Sequence, residues 1–361
     1  ELNTEQSYCE VNGEEDTSIT INYDTSTKAL SITPMTSKGT KCFLYFDEYI
    51  PPTAGETILT NYPTQLTRND FSTTVTNTTA GTIYYADTSK GRTYYFAGNP
   101  TDNWLSFAGF YWRIIRINEN GSIRMIYNGT STSQTGSTTQ YGESTFSINS
   151  STYNNNAYVG YMYTLNNVHG TGTESGIKKV VDEWYEANIL DTEYEDLLSK
   201  EAGFCGDRTR STNNSSLNNS GGTGKTQTYY GAYIRLISNK TPTFECSDES
   251  YDLYTVDASS KGNHALDYPI GLITADEVAY AGGVHGLNSS GYYLYTNSAY
   301  WTMSPYSFDT GGYADVFIVY DLGFPGNIDV DGAHGVRPVL NLDASVTLSG
   351  RGTSTDPYTV N

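Results

Sequence analysis

The stretch Tyr300–Leu342, YWTMSPYSFDTGGYADVFIVYDLGFPGNIDVDGAHGVRPVLNL, decides how the rest of the chain is read. Its ends are apolar: Tyr300, Trp301, Met303 and Pro305 open it, and Val336, Arg337, Pro338, Val339, Leu340 and Leu342 close it as a strand of mixed periodicity. From Ser304 to Gly335 there is no Lys, Arg, Glu, Gln, Met or Trp, although the chain carries all six elsewhere. Within that interval Ala314, Val316, Phe317, Val319, Leu322, Ile328 and Val330 recur like the buried side of short strands. Between them lie Tyr306, Ser307, Asp309, Thr310, Gly311, Gly312, Asp315, Ile318, Tyr320, Asp321, Phe324, Pro325, Gly326, Asn327, Asp329, Asp331 and His334. Successive strand residues face opposite sides of a sheet, so the pattern predicts one anchored face and one displayed face. The displayed set mixes acids, aromatics, Pro, Gly and a His, whereas a catalytic centre gathers a few convergent polar groups.

Composition bounds the possibilities. With 361 residues, 37% of them hydrophobic, the chain can bury a sizeable core in one large domain plus a smaller module. Forty Asp and Glu against 20 Lys and Arg give a formal charge of −20, which argues against nucleic acid or an anionic membrane surface as partner. Tyr occurs 33 times against 12 Phe, beside abundant Asn, Ser, Thr and Gly. That mix suits adaptable recognition surfaces, although an AT-rich coding sequence would enrich Tyr and Asn as well.

Four cysteines fall into two local pairs, Cys9 with Cys42 and Cys205 with Cys246. An even count in a polar chain predicts two disulfides and an oxidising compartment, with free thiols as the alternative. Neither a CxxC nor a Cys/His zinc spacing is present. No apolar run is long enough to span a bilayer, so this segment is not expected to insert directly in a membrane. With no initiator Met before Glu1, a removed or omitted signal or anchor is expected upstream, through which pilus or cell-wall attachment would run.

In chain order, residues 1–50 read as a small β module with strands at Thr17–Tyr23, Ala29–Ile32 and Lys41–Phe46, the last stapled back to Cys9. Pro51, Pro52, Gly55 and the aperiodic Thr/Asn run from Asn69 to Thr82 place a linker at 51–82 and the main domain at 83–361. A strand at Thr93–Ala97 is followed by the firmest hairpin, Tyr111–Ile117 and Ile123–Tyr127, turning at Asn120-Gly121. Residues 129–156 read as a long Ser/Thr/Asn loop. A helix starts at the cap Ser175, and Asp191 caps a second short helix carrying Tyr194, Leu197 and Leu198. Residues 211–227 read as a polar mobile loop. Thr274–Glu277 forms a capping box for a third helix ended by Gly282-Gly283, and Ala344–Leu348 and Tyr358–Val360 supply closing strands. Few helices, many short strands and long loops predict an α+β fold with small twisted sheets.

At this point the residues carry a resemblance. NWLSFAGFYWRIIRINENGSIRMIY (Asn103–Tyr127), YPIGLITADEVAYAGG (Tyr268–Gly283), YWTMSP (Tyr300–Pro305) and GVRPVLNLDASVTLSGRGTSTDPY (Gly335–Tyr358) resemble surface proteins of gut Firmicutes. Their C-terminal domain is similar to C-type-lectin-like and formylglycine-generating-enzyme-like folds. The likeness covers residues 83–361, and the first 50 residues resemble the cysteine-bracketed modules upstream in such proteins. That fold also hosts the variable proteins of diversity-generating retroelements, in which template adenines are randomised. An Asn codon altered at both adenines reaches every residue type in the displayed set, but never Lys, Gln, Glu, Met or Trp. A weakly constrained loop would also avoid large charged residues.

The resemblance therefore implies a secreted or cell-surface bacterial adhesin or receptor whose displayed residues meet a protein or glycan on another cell, phage or host surface. A structural subunit of a pilus or filament is the alternative, and a formylglycine-generating-like enzyme a third. The active-site thiols of that enzyme have no counterpart here, because Cys205 and Cys246 precede the motif-bearing stretch. His169, His264, His285 and His334 sit in Gly- or Asn-rich loops outside any HExxH or triad spacing, so solvated loop histidines are expected. No cofactor is expected, with calcium left open. Asp329-Val330-Asp331-Gly332 alternates carboxylates with Gly as a calcium loop does but lacks the closing Glu, and turn chemistry accounts for it equally.

Overall fold

The computed structural model describes residues 2–48, 50–211 and 228–361; the predicted loop at 212–227 lies outside the described residues. The fold is mixed α+β, and the chain divides into two compact units, Glu1–Pro52 and Thr53–Asn361.

In the first unit, strands Tyr8–Val11 and Thr40–Phe43 pair antiparallel with Cys9 opposite Cys42, and the two are disulfide-bonded. Thr20–Asp24 and Ala29–Thr33 make a separate hairpin. Among its described residues only Leu2 and Cys9 are buried. A unit with so little core depends on its cross-link, and closing a loop of this length restricts the unfolded chain by about 4 kcal/mol.

The second unit begins thirty residues earlier than the expected 83, and the linker assigned to 51–82 does not exist as such. Thr53 caps helix α1 (Ala54–Asn61) through a capping box: its Oγ accepts from the Glu56 amide at 3.3 Å, and the Glu56 carboxylate accepts from the Thr53 amide at 2.8 Å. Strand β1 (Thr64–Leu66) then pairs parallel to β2 (Thr82–Thr88). The aperiodic run between them is pinned by polar contacts in place of an apolar face. Arg68 donates to the carbonyls of Ala279 (2.8 Å) and Thr73 (3.0 Å), and the Val75 amide to that of Gly282 (3.2 Å).

The large sheet also contains β3 (Gly91–Tyr95), β4 (Trp104–Phe107), β5 (Phe110–Ile117) and β6 (Ile123–Tyr127), the last two forming the predicted hairpin with Gly121 at φ +86°. Strand β7 (Gly142–Thr145), inside the segment read as loop, joins a second sheet. Helix α2 (Gly176–Asn188) starts where expected, with the Ser175 hydroxyl accepting from the Lys178 amide at 3.2 Å. The second short helix does not form: Glu195–Leu197 is a single 3-10 turn, and Asp191 sits at φ +60° with its amide bonded to the Glu195 carboxylate. Next come β8 (Thr228–Tyr229), β9 (Ile270–Gly271) and α3 (Ala275–Ala281), which carries the predicted capping box. Gly282 ends α3 at φ +123°, where a Cβ would lie 2.5 Å from the Val75 carbonyl oxygen.

The opening stretch supplies β10 (Tyr300–Phe308), β11 (Ala314–Val319), β12 (Pro325–Asp329), β13 (Ala333–Val336) and β14 (Val339–Leu342). Strand β14 enters the large sheet, ordered β9-β14-β6-β5-β3-β2-β1, while the others form the second sheet, β7-β13-β10-β11-β12, with β8 also on β10. The two ends of the stretch are tied by Arg337, which is buried. It donates to the Tyr127 carbonyl (2.9 Å) and the Asn128 side chain (2.8 Å) and lies over the Tyr300 ring. The main core centres on Trp112, Trp184 and Tyr127, with ring centroids 5.5–5.9 Å apart. No helix of the described residues is long and apolar enough to cross a membrane.

Strand β11 corrects the two-face expectation. Ala314, Val316 and Ile318 enter the main core, while Phe317 on the opposite face packs with Ala232, Leu236, Ala275 and Ala279. Ile318 and Pro325, assigned to the displayed set, are buried, and so are Ser307, Asp315 and Gly326; Leu322, assigned to the buried set, is 50% exposed in the hairpin turn. A strand covered on both faces reads as the continuous run ADVFIV, where alternation carries little information.

Candidate recognition face on the second sheet

The register of β10–β12 gathers part of the displayed set on the Phe317 face. Asp315 lies opposite Asp329, Phe317 opposite Asn327, and Ser307 opposite Asp315. Backbone bonds from Val330 to Ala314 and from Tyr320 to Phe324 make the even-numbered positions of β11 the hydrogen-bonded pairs. Asp315 and Asp329 therefore form a non-bonded pair, the kind in which facing side chains approach most closely. A register shift between Pro305 and Ser307 leaves Tyr306 as an extra residue and aims its ring at Phe317, centroid to centroid 4.8 Å. Tyr233 meets Tyr306 edge-on at 5.0 Å and Tyr229 at 4.4 Å, completing an aromatic border.

Asp315 is 4% exposed. Its Oδ2 accepts from the Ser307 hydroxyl at 2.8 Å, and its carboxyl lies within hydrogen-bonding reach of the facing Asp329 side chain. Burial, then the facing Asp329, push its carboxyl up to about 8, so near neutral pH Asp315 holds a proton. Burial likewise raises the Tyr306 phenol.

Other predicted positions fall at the two ends of the hairpin. Asp309, Thr310, Gly311 and Gly312 form the β10–β11 turn, where Asp309 accepts from the Tyr313 amide at 2.9 Å and Tyr313 stacks on Tyr153 at 4.8 Å. Asp331 lies in the neighbouring turn, which closes through the Gly332 amide on the Asp329 carbonyl at 3.2 Å. His334 follows on β13, half-buried against Trp301, and burial lowers its pKa. Tyr320, Asp321 and Phe324 sit at the far turn. The Tyr320 ring reaches back over Gly326, and its hydroxyl donates to the edge carbonyl of Asn327 at 2.6 Å.

Two other clusters went unread in the sequence. A cleft of about 170 Å³ is lined by Arg116, Arg124, Glu277, Arg235, Asp207 and Asp276, with the Cys205–Cys246 disulfide in its wall. Glu277 meets Arg124 Nε at 2.6 Å and Arg116 Nε at 3.1 Å; burial would raise its carboxyl, but the two guanidiniums hold it below the usual range. Arg235 lies between Asp207 and Asp276. The arginines inside the apolar strands YWRIIRI and IRMIY were the available signal, because a strand buried on both faces tolerates Arg only with an internal partner. The second cluster, Glu174, Asp182 and Asp267, is the group of three potential metal ligands among the described residues. Its centre is filled by the Lys178 ammonium at 2.6, 2.5 and 3.0 Å, which takes the place of a cation. His169 is not a solvated loop residue: its Nδ1 lies 3.2 Å from buried Asp252.

No family model, no curated protein and no solved structure matches the chain.

Proposed function

We propose that this chain is a secreted or cell-surface bacterial recognition protein whose second unit has a C-type-lectin-like fold, with the β10–β12 face and its adjoining turns as the ligand-contacting patch. The observation that carries this reading is the fate of the interval lacking Lys, Arg, Glu, Gln, Met and Trp. It folds as a hairpin anchored on one face in the main core, while Tyr306, Asn327 and Asp329 remain half-open on the other. Tyrosine rings supply rigid contact area and Asn and Asp polar selectivity, as in adaptable paratopes. The residue types present are those that adenine randomisation of Asn codons produces, which supports diversification by a retroelement. Two disulfides suit an oxidising compartment.

The test is capture by the full chain on arrays of glycans and of purified bacterial, phage and host surface proteins. Tyr306→Ser combined with Asn327→Ala is expected to abolish whatever capture the natural chain shows while leaving the melting transition in place. Capture indifferent to both substitutions would remove the patch from the account.

A further inference from the structure

We propose that the cleft walled by the Cys205–Cys246 disulfide is a second ligand site, and that it takes a zwitterionic α-amino acid, with the carboxylate on the guanidinium donors of Arg116 and Arg235 and the ammonium at an acidic mouth. The inference goes beyond the recognition reading and does not depend on it: Tyr233 borders the β10–β12 face, while Arg235, two residues further on, lines the cleft.

Its first ground is what the two arginines leave unspent. Arg116 is held by Glu277 at 3.1 Å through Nε and lies 4.8 Å from the centre of the Phe244 ring. Its Nη1 reaches the Thr93 hydroxyl at 3.4 Å, and its Nη2 makes no hydrogen bond among the described residues. Arg235 spends Nε and Nη2 on Asp276, at 2.9 and 2.8 Å, and Nη2 on Asp207 as well, while its Nη1 makes none. Both side chains line the cleft and keep 12% and 19% of their surface exposed. The inner acids hold no such reserve: Glu277 binds two arginines and the Thr274 amide (2.9 Å), and Asp276 binds Arg235 and the Thr243 amide (3.0 Å). The interior thus offers donors on guanidiniums already fixed in place, which suits a carboxylate and costs little ordering on binding.

The second ground is the change of charge from floor to mouth. Inside, Arg116, Arg124 and Arg235 balance Glu277, Asp207 and Asp276. Among the more open lining residues, Glu119, Glu201, Glu245 and Glu249 face only Lys90 and Lys261. A plain anion is repelled by that mouth, and a plain cation leaves the inner donors unused; a zwitterion, net neutral, is matched at both ends. Size agrees. A cavity of about 150 Å³ takes a benzene ring, so the 170 Å³ here take one small or medium amino acid. Ala202, Leu253 and the disulfide offer apolar wall to its side chain, and the disulfide ties residues 201–207 to 243–249, which form two of the walls.

The experiment is calorimetric titration of the full chain at pH 7 with glycine, alanine, serine, valine and leucine singly, then with the carboxamide and the N-acetyl form of the tightest binder, and with methyl glucoside. At least one amino acid should bind with a Kd below about 1 mM. Blocking its carboxylate or its ammonium should weaken it at least about tenfold, as loss of a charge-assisted hydrogen bond does. Arg116→Lys and Arg235→Lys, which keep a cation on the buried acids but remove the open nitrogen, should each cost a similar factor. Because both touch buried ion pairs, Glu245→Gln combined with Glu249→Gln at the mouth serves as the second variant. It should weaken the amino acid about two- to fivefold and tighten its N-acetyl form, which carries the carboxylate alone. No amino acid bound at about 10 mM, blocked forms binding as well as the parent, the glucoside binding in their place, or affinity untouched by all of these substitutions would each overturn the inference, and none of these outcomes bears on the β10–β12 patch.

Discussion

Replacing Asp315 by Asn should stabilise the protein, and by more the higher the pH. The folded chain holds the Asp315 carboxyl up to about 8, against about 3.9 for an unfolded aspartate. Between those values the folded state keeps a proton that the unfolded state has released, so stability falls by about 1.4 kcal/mol per pH unit. The stabilising contribution of the raised acid is complete below pH 4 and lost as pH climbs through 8. Asn cannot ionise, yet its amide can donate to Asp329 and its carbonyl can accept from Ser307, which now bonds Asp315 Oδ2 at 2.8 Å. The variant should therefore match the natural chain near pH 4 and exceed it by about 3–4 kcal/mol near pH 7, a gap of roughly 6 °C in melting temperature for a unit this large. Thermal melts of both proteins from pH 4 to 8.5 measure the gap. A gap that stays constant, or that turns against Asn as pH rises, would refute the raised Asp315 carboxyl and show it to be a stably paired carboxylate.

Lys178→Met should cost about 3–5 kcal/mol at pH 7.5 by stranding three carboxylates, with part of the loss recovered at pH 5 as Asp182, already raised to about 6, takes up a proton. Urea unfolding at the two pH values checks this, and an unchanged midpoint at pH 7.5 would count against it. Peptide mapping without reductant should recover Cys9 joined to Cys42 and Cys205 to Cys246, and free or crossed thiols would contradict the structure. Phe317→Ala should cost about 3–5 kcal/mol through loss of a buried ring, whereas Thr310→Ala should stay within about 0.5 kcal/mol. Tyr320→Ser belongs between them, at about 1–2 kcal/mol, because its hydroxyl closes the hairpin on the Asn327 carbonyl; equal melting temperatures for all three would contradict the burial described.

Where local signals agree with the fold, the sequence reads correctly. Ser175 and the Thr274–Glu277 box start their helices, and Asn120-Gly121 turns its hairpin. Thr53-Ala54-Gly55-Glu56 carried the same capping signal, but its position beside Pro51 and Pro52 hid it inside an apparent linker. The anchoring of Val316, Phe317, Val319 and Val330 was legible from hydrophobicity, while the burial of Ile318 and Pro325 was not: with Ile318 in the main core and Phe317 in the cluster on the opposite face, both faces of β11 are covered and alternation along the hairpin carries little information. Of the site, the residue types were visible and their separation was not. Register brings Tyr306, Ser307, Asp315, Asn327 and Asp329 to one face and sends Tyr320, Asp321 and Phe324 to the far turn. Tyr229 and Tyr233 join the face from a distant segment, which no local pattern announces.

The central claim, that residues 304–335 divide into a fixed scaffold and a changeable display, is tested most directly by sequencing this locus and its neighbouring DNA across sibling isolates. The account predicts substitutions gathered at Tyr306, Asp309, Thr310, Tyr320, Asp321, Phe324, Asn327, Asp329, Asp331 and His334, and a near-identical repeat carrying Asn codons there beside a reverse transcriptase gene. Val316, Phe317, Ile318, Val319, Pro325 and Val330, all buried, should not change. Substitutions spread evenly over buried and open positions, with no such repeat nearby, would contradict it.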